Sequence, residues 1–237
     1  MIWAIVPAKM LEQAKTRLAQ ALSPAERQTL SLAMLRDVLS ALKGAENLDH
    51  VAVITADAAL AATASAMRVE VIAERTTGQN EALAAGVAYA REQGADTVLI
   101  VSADLPLLSA ATVEQIIERT LLAEQYPLVL LAPSHDGAGT NAMLQRPPGI
   151  IPLLFGANSL ERHQQAAAEY GMPVELFRAE GLAFDVDLPA DLIALSSSPE
   201  QTYTQIALMQ MGLPQRLRES PHHERSFPEP HIKASIE

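Results

Sequence analysis

The chain has 237 residues, 49% of them apolar, and a formal net charge of -11. That size suits one large α/β domain, or one domain with an extension, and the apolar share suffices for a full core. The acidic balance argues against a general nucleic-acid or anionic-membrane binder, and the absence of cysteine excludes disulfides, thiolate metal sites and cysteine nucleophiles.

Ile2-Trp3-Ala4-Ile5-Val6 reads as a first strand, closed by Pro7. The run is too short for a signal peptide and lacks a basic start. No later stretch reaches membrane-spanning length, so a soluble cytoplasmic protein is expected. Ala8 to Leu18 follows, with Lys9, Lys15 and Arg17 and no glycine. It is neither a Walker loop nor a dinucleotide fingerprint. Yet it directly follows the first strand, where α/β proteins place a nucleotide-phosphate loop. Its cations could neutralise a triphosphate; taken alone, the segment reads as a solvated basic face.

Ser23-Pro24-Ala25-Glu26 is a capping box with proline at the first helical position. It predicts a helix to Leu42, with Leu30, Met34 and Val38 on its core face. Val51 to Thr55 reads as a second strand. Asp57 opens an alanine-rich helix to Met67, and Val69 to Ala73 is a third strand. This alternation predicts a doubly wound sheet. Gly78 and Asn80 then precede a helix that runs to Gln93. A glycine and an amide at a helix start can receive a purine edge or a phosphate. A turn with Asn80 as N-cap fits the same residues.

Thr97 to Val101 is a continuous apolar run, expected to be a strand buried on both faces. It delivers Asp104 past its end, where open α/β sheets bind ligands. A turn aspartate before the helix from Ser109 to Glu124 reads as well. After a strand from Pro127 to Ala132, a polar loop carries Gly137, Gly139, Thr140 and Asn141, which could approach an anion. A plain hairpin turn fits it too, and His135 reads as solvated. Gly156 and Ser159 form a second candidate anion nest, with Ser159 as N-cap of a helix to Tyr170. Val174 to Phe177 reads as a strand. Leu182 to Leu192 is expected to put Asp187 at a strand end, Asp185 on the same face and Asp191 in a structural role. From Ser196 the chain is expected to leave the domain. Residues 199–237 are read as an extension of one helix and then a disordered tail.

These features converge on one chemistry. Asp104 and Asp187, at two strand ends, make a hard oxygen site suited to Mg²⁺. The cations after the first strand suit phosphates, and the Gly78–Asn80 segment suits base and ribose. Together they would hold a nucleoside triphosphate. Val6-Pro7-Ala8-Lys9, Ala14-Lys15-Thr16-Arg17-Leu18, Ser102-Ala103-Asp104-Leu105-Pro106-Leu107, Asp136-Gly137-Ala138-Gly139-Thr140-Asn141, Phe155-Gly156 with Ser159, and Asp185-Val186-Asp187-Leu188-Pro189 occur in that order. This set resembles the phosphoenolpyruvate/2-phospholactate guanylyltransferase family of coenzyme F-420 biosynthesis, over about residues 1–198. That family is allied to molybdenum-cofactor guanylyltransferases.

The resemblance implies a Rossmann-like, three-layer fold of the nucleotide-diphospho-sugar-transferase type, with a central, mostly parallel sheet. It implies a nucleotidyltransferase domain at 1–198 that joins GTP to phosphoenolpyruvate and releases pyrophosphate. 2-Phospho-L-lactate and 3-phospho-D-glycerate are the alternative acids. Pro7, Lys9, Lys15, Gly78 and Asn80 would bind GTP; Thr140, Gly156 and Ser159 would bind phosphoenolpyruvate; Asp104 and Asp187 would hold Mg²⁺. Lys15, Arg17 and Asp104 would be catalytic. Nucleic acid and membrane are not expected partners. A homodimer and a downstream transferase of the F-420 pathway are. A phosphate monoester is already mostly ionised near pH 7, so no strong general base is needed. Two rival readings are a cytidylyl- or molybdopterin-type transferase and a non-catalytic nucleotide-binding regulator.

Overall fold

The structure, a computed structural model, describes residues 1–76, 78–122, 126–198 and 201–219. In chain order the elements are β1 (Ile2–Pro7), α1 (Pro24–Lys43), β2 (His50–Thr55), α2 (Ala58–Ala66), β3 (Glu70–Ala73), α3 (Gln79–Glu92), β4 (Thr97–Val101) and α4 (Ala110–Leu122). After them come β5 (Leu128–Pro133), β6 (Thr140–Arg146), α5 (Ser159–Glu169), β7 (Val174–Leu176), α6 (Glu180–Ala183), α7 (Pro189–Ser197), α8 (Tyr203–Gln210) and α9 (Leu213–Glu219). The expected end of α4 at Glu124 lies outside the described residues, as does the tail from residue 220 on, but residues 214–219, expected to be disordered, are helical in α9.

The strands form one seven-stranded sheet in the order β3-β2-β1-β4-β6-β5-β7. Its pairs are parallel except those of β6, which runs antiparallel to β4 and to β5. Alternation along β1 builds both cores. Ala4 and Val6 meet one cluster with Leu35, Leu39, Leu60 and Ile117, from α1, α2 and α4. Trp3 and Ile5 meet the other with Leu83, Val87 and Leu160, from α3 and α5. A strand buried on both sides needs apolar residues at every position, and β1 and β4 supply them. Close packing decides the α3 side: a Cβ on Gly86 would sit 2.2 Å from Ile54 Cδ1. The result is the expected three-layer α/β fold.

Local chemistry explains the element ends. Glu26 N–H donates to Ser23 Oγ at 3.3 Å, and Ser23 N–H donates back to Glu26 Oε2 at 2.8 Å, completing the capping box of α1. Asp57 Oδ1 accepts from Ala59 and Leu60 at the start of α2, while its Oδ2 accepts from Leu11 N–H at 3.0 Å. One aspartate thus caps a helix and pins the basic segment after β1.

Four expectations are corrected. The N-cap of α3 is Gly78, not Asn80. The N-cap of α5 is Asn158, in the left-handed region at φ 53°, and Ser159 is the first helical residue. Asp187 stands on an irregular stretch between α6 and α7, not at a strand end. The chain does not leave the body at Ser196. Leu208 and Leu213 join Leu18, Leu30, Met34, Val186 and Leu192 in a third apolar cluster. The buried Asp37 of α1 accepts from Tyr203 N–H at 2.7 Å, Thr204 N–H at 2.9 Å and the Thr204 hydroxyl at 2.5 Å. Beyond residue 198, two helices are present where one was expected.

Candidate active site

The basic segment after β1 folds as two short 3-10 turns, Leu11–Gln13 and Thr16–Leu18. Leu18 is fully buried in the third cluster and anchors the segment from below. Between the turns, Lys15 adopts the left-handed conformation at φ 51°, costly for a residue with a side chain. The reward is position. Its ammonium donates to Asp104 Oδ2 at 2.5 Å and to Asp187 Oδ1 at 2.8 Å.

Each carboxylate has its own support. Asp104 follows β4, and its carbonyl accepts from Val186 N–H at 3.2 Å, tying the two acidic segments together. Asp187 N–H and Leu188 N–H both donate to Asp191 Oδ2, at 2.8 and 2.7 Å. Asp191 therefore has the structural role expected of it. Arg17, largely exposed, lies 3.5 Å from Asp187 Oδ2. Burial opposes the charge on Lys15, but Asp104 and Asp187 outweigh it and its pKa is raised. Burial likewise opposes the charge on Asp187, while Lys15, Arg17 and Lys9 hold its pKa below the usual carboxylate value.

The pair borders an open cavity of about 290 Å³ lined by Pro7, Lys9, Lys15, Gln79, Ser102, Asp104 and Asp187, among others. A second cavity of about 450 Å³ shares Pro7, Lys9 and Gln79 and continues to Glu74 and Thr76. Gly78 caps α3 beside Gln79. The Asn80 amide is engaged within the protein: it donates to Phe155 O at 3.1 Å and accepts from Phe155 N–H at 2.9 Å. The side chain thereby holds the Phe155–Gly156 corner.

A second group of expected residues gathers at the start of β6. Thr140 N–H donates to Ser159 Oγ at 2.8 Å, and Ser159 N–H donates to Gly156 O at 3.2 Å. Thr140 and Ser159 are buried, and Gly156 is exposed at φ 122°. Asn141 joins the two groups. Its carbonyl accepts from Ser102 N–H at 2.9 Å, and its amide donates to Asp185 Oδ1 at 3.1 Å. Asp185 is pushed up by burial and by the charges of Asp104 and Asp187, against the Asn141 bond, so it belongs to the same electrostatic neighbourhood. His135 is exposed and 3.4 Å from Asp185.

Sequence reasoning missed Gln79, Asn141's linking role and the buried His163. Gln79 sits beside a glycine already singled out. His163 lies four residues after Ser159, on the same helical face, a spacing that could have flagged it.

A Rossmann-like three-layer sheet with cations after its first strand and Asp104 after its fourth defines an α/β protein of the class that binds ligands at the carboxyl ends of its strands. Solved structures agree on the fold. A candidate nucleotide-diphospho-sugar transferase from Desulfovibrio desulfuricans G20 matches with TM-score 0.73 at 16% identity, covering 91% of this chain and 97% of that one. A nucleotidyl transferase from Methanothermobacter matches with TM-score 0.61 at 20% identity, covering 82% and 95%.

Sequence comparison narrows the class. The family model described as guanylyl transferase, CofC-like, matches residues 2–228, and the chain belongs to that family. It is 41% identical to the phosphoenolpyruvate guanylyltransferase of Sphaerobacter thermophilus, over 81% of this chain and 91% of that protein. It is 32% identical to the 3-phospho-D-glycerate guanylyltransferase of Colwellia psychrerythraea, over 82% and 92%. Among the described residues no helix is long and apolar enough to cross a membrane.

Proposed function

We propose that this chain transfers the guanylyl group of GTP to the phosphate of phosphoenolpyruvate. A phosphate oxygen of the acid attacks the α-phosphorus of GTP; the bond to the β-phosphate bridging oxygen breaks; pyrophosphate leaves. The observation that carries the reading is the Lys15 ammonium held between Asp104 and Asp187 beside an open cavity. Family membership and the phosphoenolpyruvate relatives support the choice of substrates.

The obstacle in this reaction is repulsion between a triphosphate and a phospho-acid. Lys9 and Arg17, both exposed at the rim, supply cations for the phosphates. Lys15 is already paired and fixes the acidic pair while adding charge for the leaving pyrophosphate. The cavity from Pro7 past Gln79 to Glu74 suits the nucleoside. Thr140, Ser159 and the Gly156 backbone would take the acid.

Asp104 and Asp187 fit a divalent metal on this structure's own geometry. Their oxygens already converge on one positive charge, and Mg²⁺ is commonly held by one or two carboxylates plus substrate phosphates. Bound there, Mg²⁺ supplies Lewis-acid neutralisation of the phosphate oxygens. The reading also places the protein in the cytoplasm, in F-420 synthesis, ahead of a transferase that consumes the diphosphate product.

The test is a competition of phosphoenolpyruvate, 2-phospho-L-lactate and 3-phospho-D-glycerate for GTP, read by product mass. The enolpyruvoyl-diphospho-guanosine mass should dominate. Dominance of either other product reassigns the acid, and product from CTP rather than GTP reassigns the nucleotide.

A further inference from the structure

His163 is fully buried on α5, and none of the roles above uses it. Its ring bridges the start of β6 and the loop that leads into α5. Nε2 receives the Leu154 N–H at 2.8 Å, and Nδ1 lies 3.1 Å from Thr140 Oγ1. Phe155 packs edge-on against the ring at 4.9 Å.

These contacts decide the tautomer. A backbone N–H can only donate, so Nε2 carries no proton. Burial, with Arg162 nearby, lowers the pKa of His163 to about 4, so the ring is neutral near pH 7. A neutral imidazole with a bare Nε2 carries its hydrogen on Nδ1. Nδ1–H then donates to Thr140 Oγ1, and the Thr140 hydroxyl hydrogen must point elsewhere. Ser159 Oγ is constrained in the same sense, because it accepts from Thr140 N–H. Among the described residues neither hydroxyl has a protein acceptor. Both are left as donors, the polarity an anion requires.

We propose that His163 is a positioning residue for the phospho-acid: by donating to Thr140 Oγ1 it turns the threonine hydroxyl hydrogen toward the bound anion, and it fixes the Leu154–Gly156 corner beside it. This rests on the reading of Thr140 and Ser159 as acid-binding residues. His163 itself touches neither reacting atom.

The test uses the full chain with a shape-matched pair of variants. His163→Met removes both polar contacts; His163→Gln keeps one acceptor and one donor. KM for phosphoenolpyruvate should rise about ten-fold in His163→Met. KM for GTP and kcat should stay within about two-fold, and His163→Gln should recover much of the loss. On a Thr140→Val background, where no hydroxyl remains to orient, His163→Met should add little. The inference is overturned if folded His163→Met keeps the wild-type KM. It is also overturned if both KM values rise together, or if the effect is undiminished on Thr140→Val, since those mark a purely structural role. If His163→Met does not fold, His163→Asn, too short to span both partners, takes its place in the same cycle. Wild-type protein active only with another phospho-acid defeats the substrate assignment alone, and the cycle is then read with that acid. Wild-type protein inactive with every acid defeats both.

Discussion

The two halves of the candidate site are built on opposite principles. The Lys15–Asp104–Asp187 cluster is charged, partly exposed and assembled from three distant segments by ion pairs. The Thr140–Ser159–His163 cluster is neutral, buried and assembled by hydrogen bonds between one strand and one helix. On the proposed reading, the first would exchange ammonium contacts for those of phosphates and a metal at a partly exposed rim. The second cannot rearrange without breaking buried bonds. The proposed function thus assigns bond making to the cluster with adjustable charge and recognition of a small anion to the rigid one.

Perturbing each half should separate these roles. The largest effect is expected at Lys15. Lys15→Met should lower kcat/KM by about 100- to 1,000-fold, as for loss of a transition-state donor, with the melting temperature little changed. Steady-state kinetics beside a thermal melt check this, and a near-normal kcat/KM breaks the contrast.

The neutral half should respond to acid through stability. Unfolded, His163 takes up a proton near pH 6.5; folded, it resists until about pH 4. The unfolded state thus binds more protons in that window, and stability falls as pH drops through it. At the lower end the loss is about 3 kcal/mol. Comparing melts of wild type and His163→Gln isolates the contribution, which the Gln variant should lack.

Asp37 lies outside both halves and serves as the control. Asp37→Ala strips the bonds to Tyr203 and Thr204 and should destabilise by about 1–3 kcal/mol in denaturant titration, leaving both KM values unchanged. Arg17→Ala should have the smallest effect. Its contact with Asp187 is long and solvent-screened, so a rise in KM for GTP of about two- to five-fold is expected, fading at high salt.

Much of this was legible in the chain itself. Continuous apolar runs marked β1 and β4, and Ser23 with Glu26 marked the start of α1, because burial and capping are local demands. What escaped depended on partners far away in sequence. Asn80 has the composition of an N-cap, yet Phe155 claims its amide. Ser159 has it too, yet Asn158 takes the left-handed slot and frees Ser159 for Thr140. The residues after Ser198 look polar and detached, but Asp37 and the third apolar cluster bind them to α1. Among the acids, Asp104 and Asp187 could be singled out by position past apolar runs. The ammonium between them could not, since nothing local shows Lys15 adopting a left-handed backbone.

The most direct measurement is pyrophosphate release from GTP and phosphoenolpyruvate by Asp104→Ala beside the wild type, with both confirmed folded by thermal melt. The account predicts Mg²⁺-dependent release by the wild type and none above background by the variant. Release by the variant at the wild-type rate would contradict it.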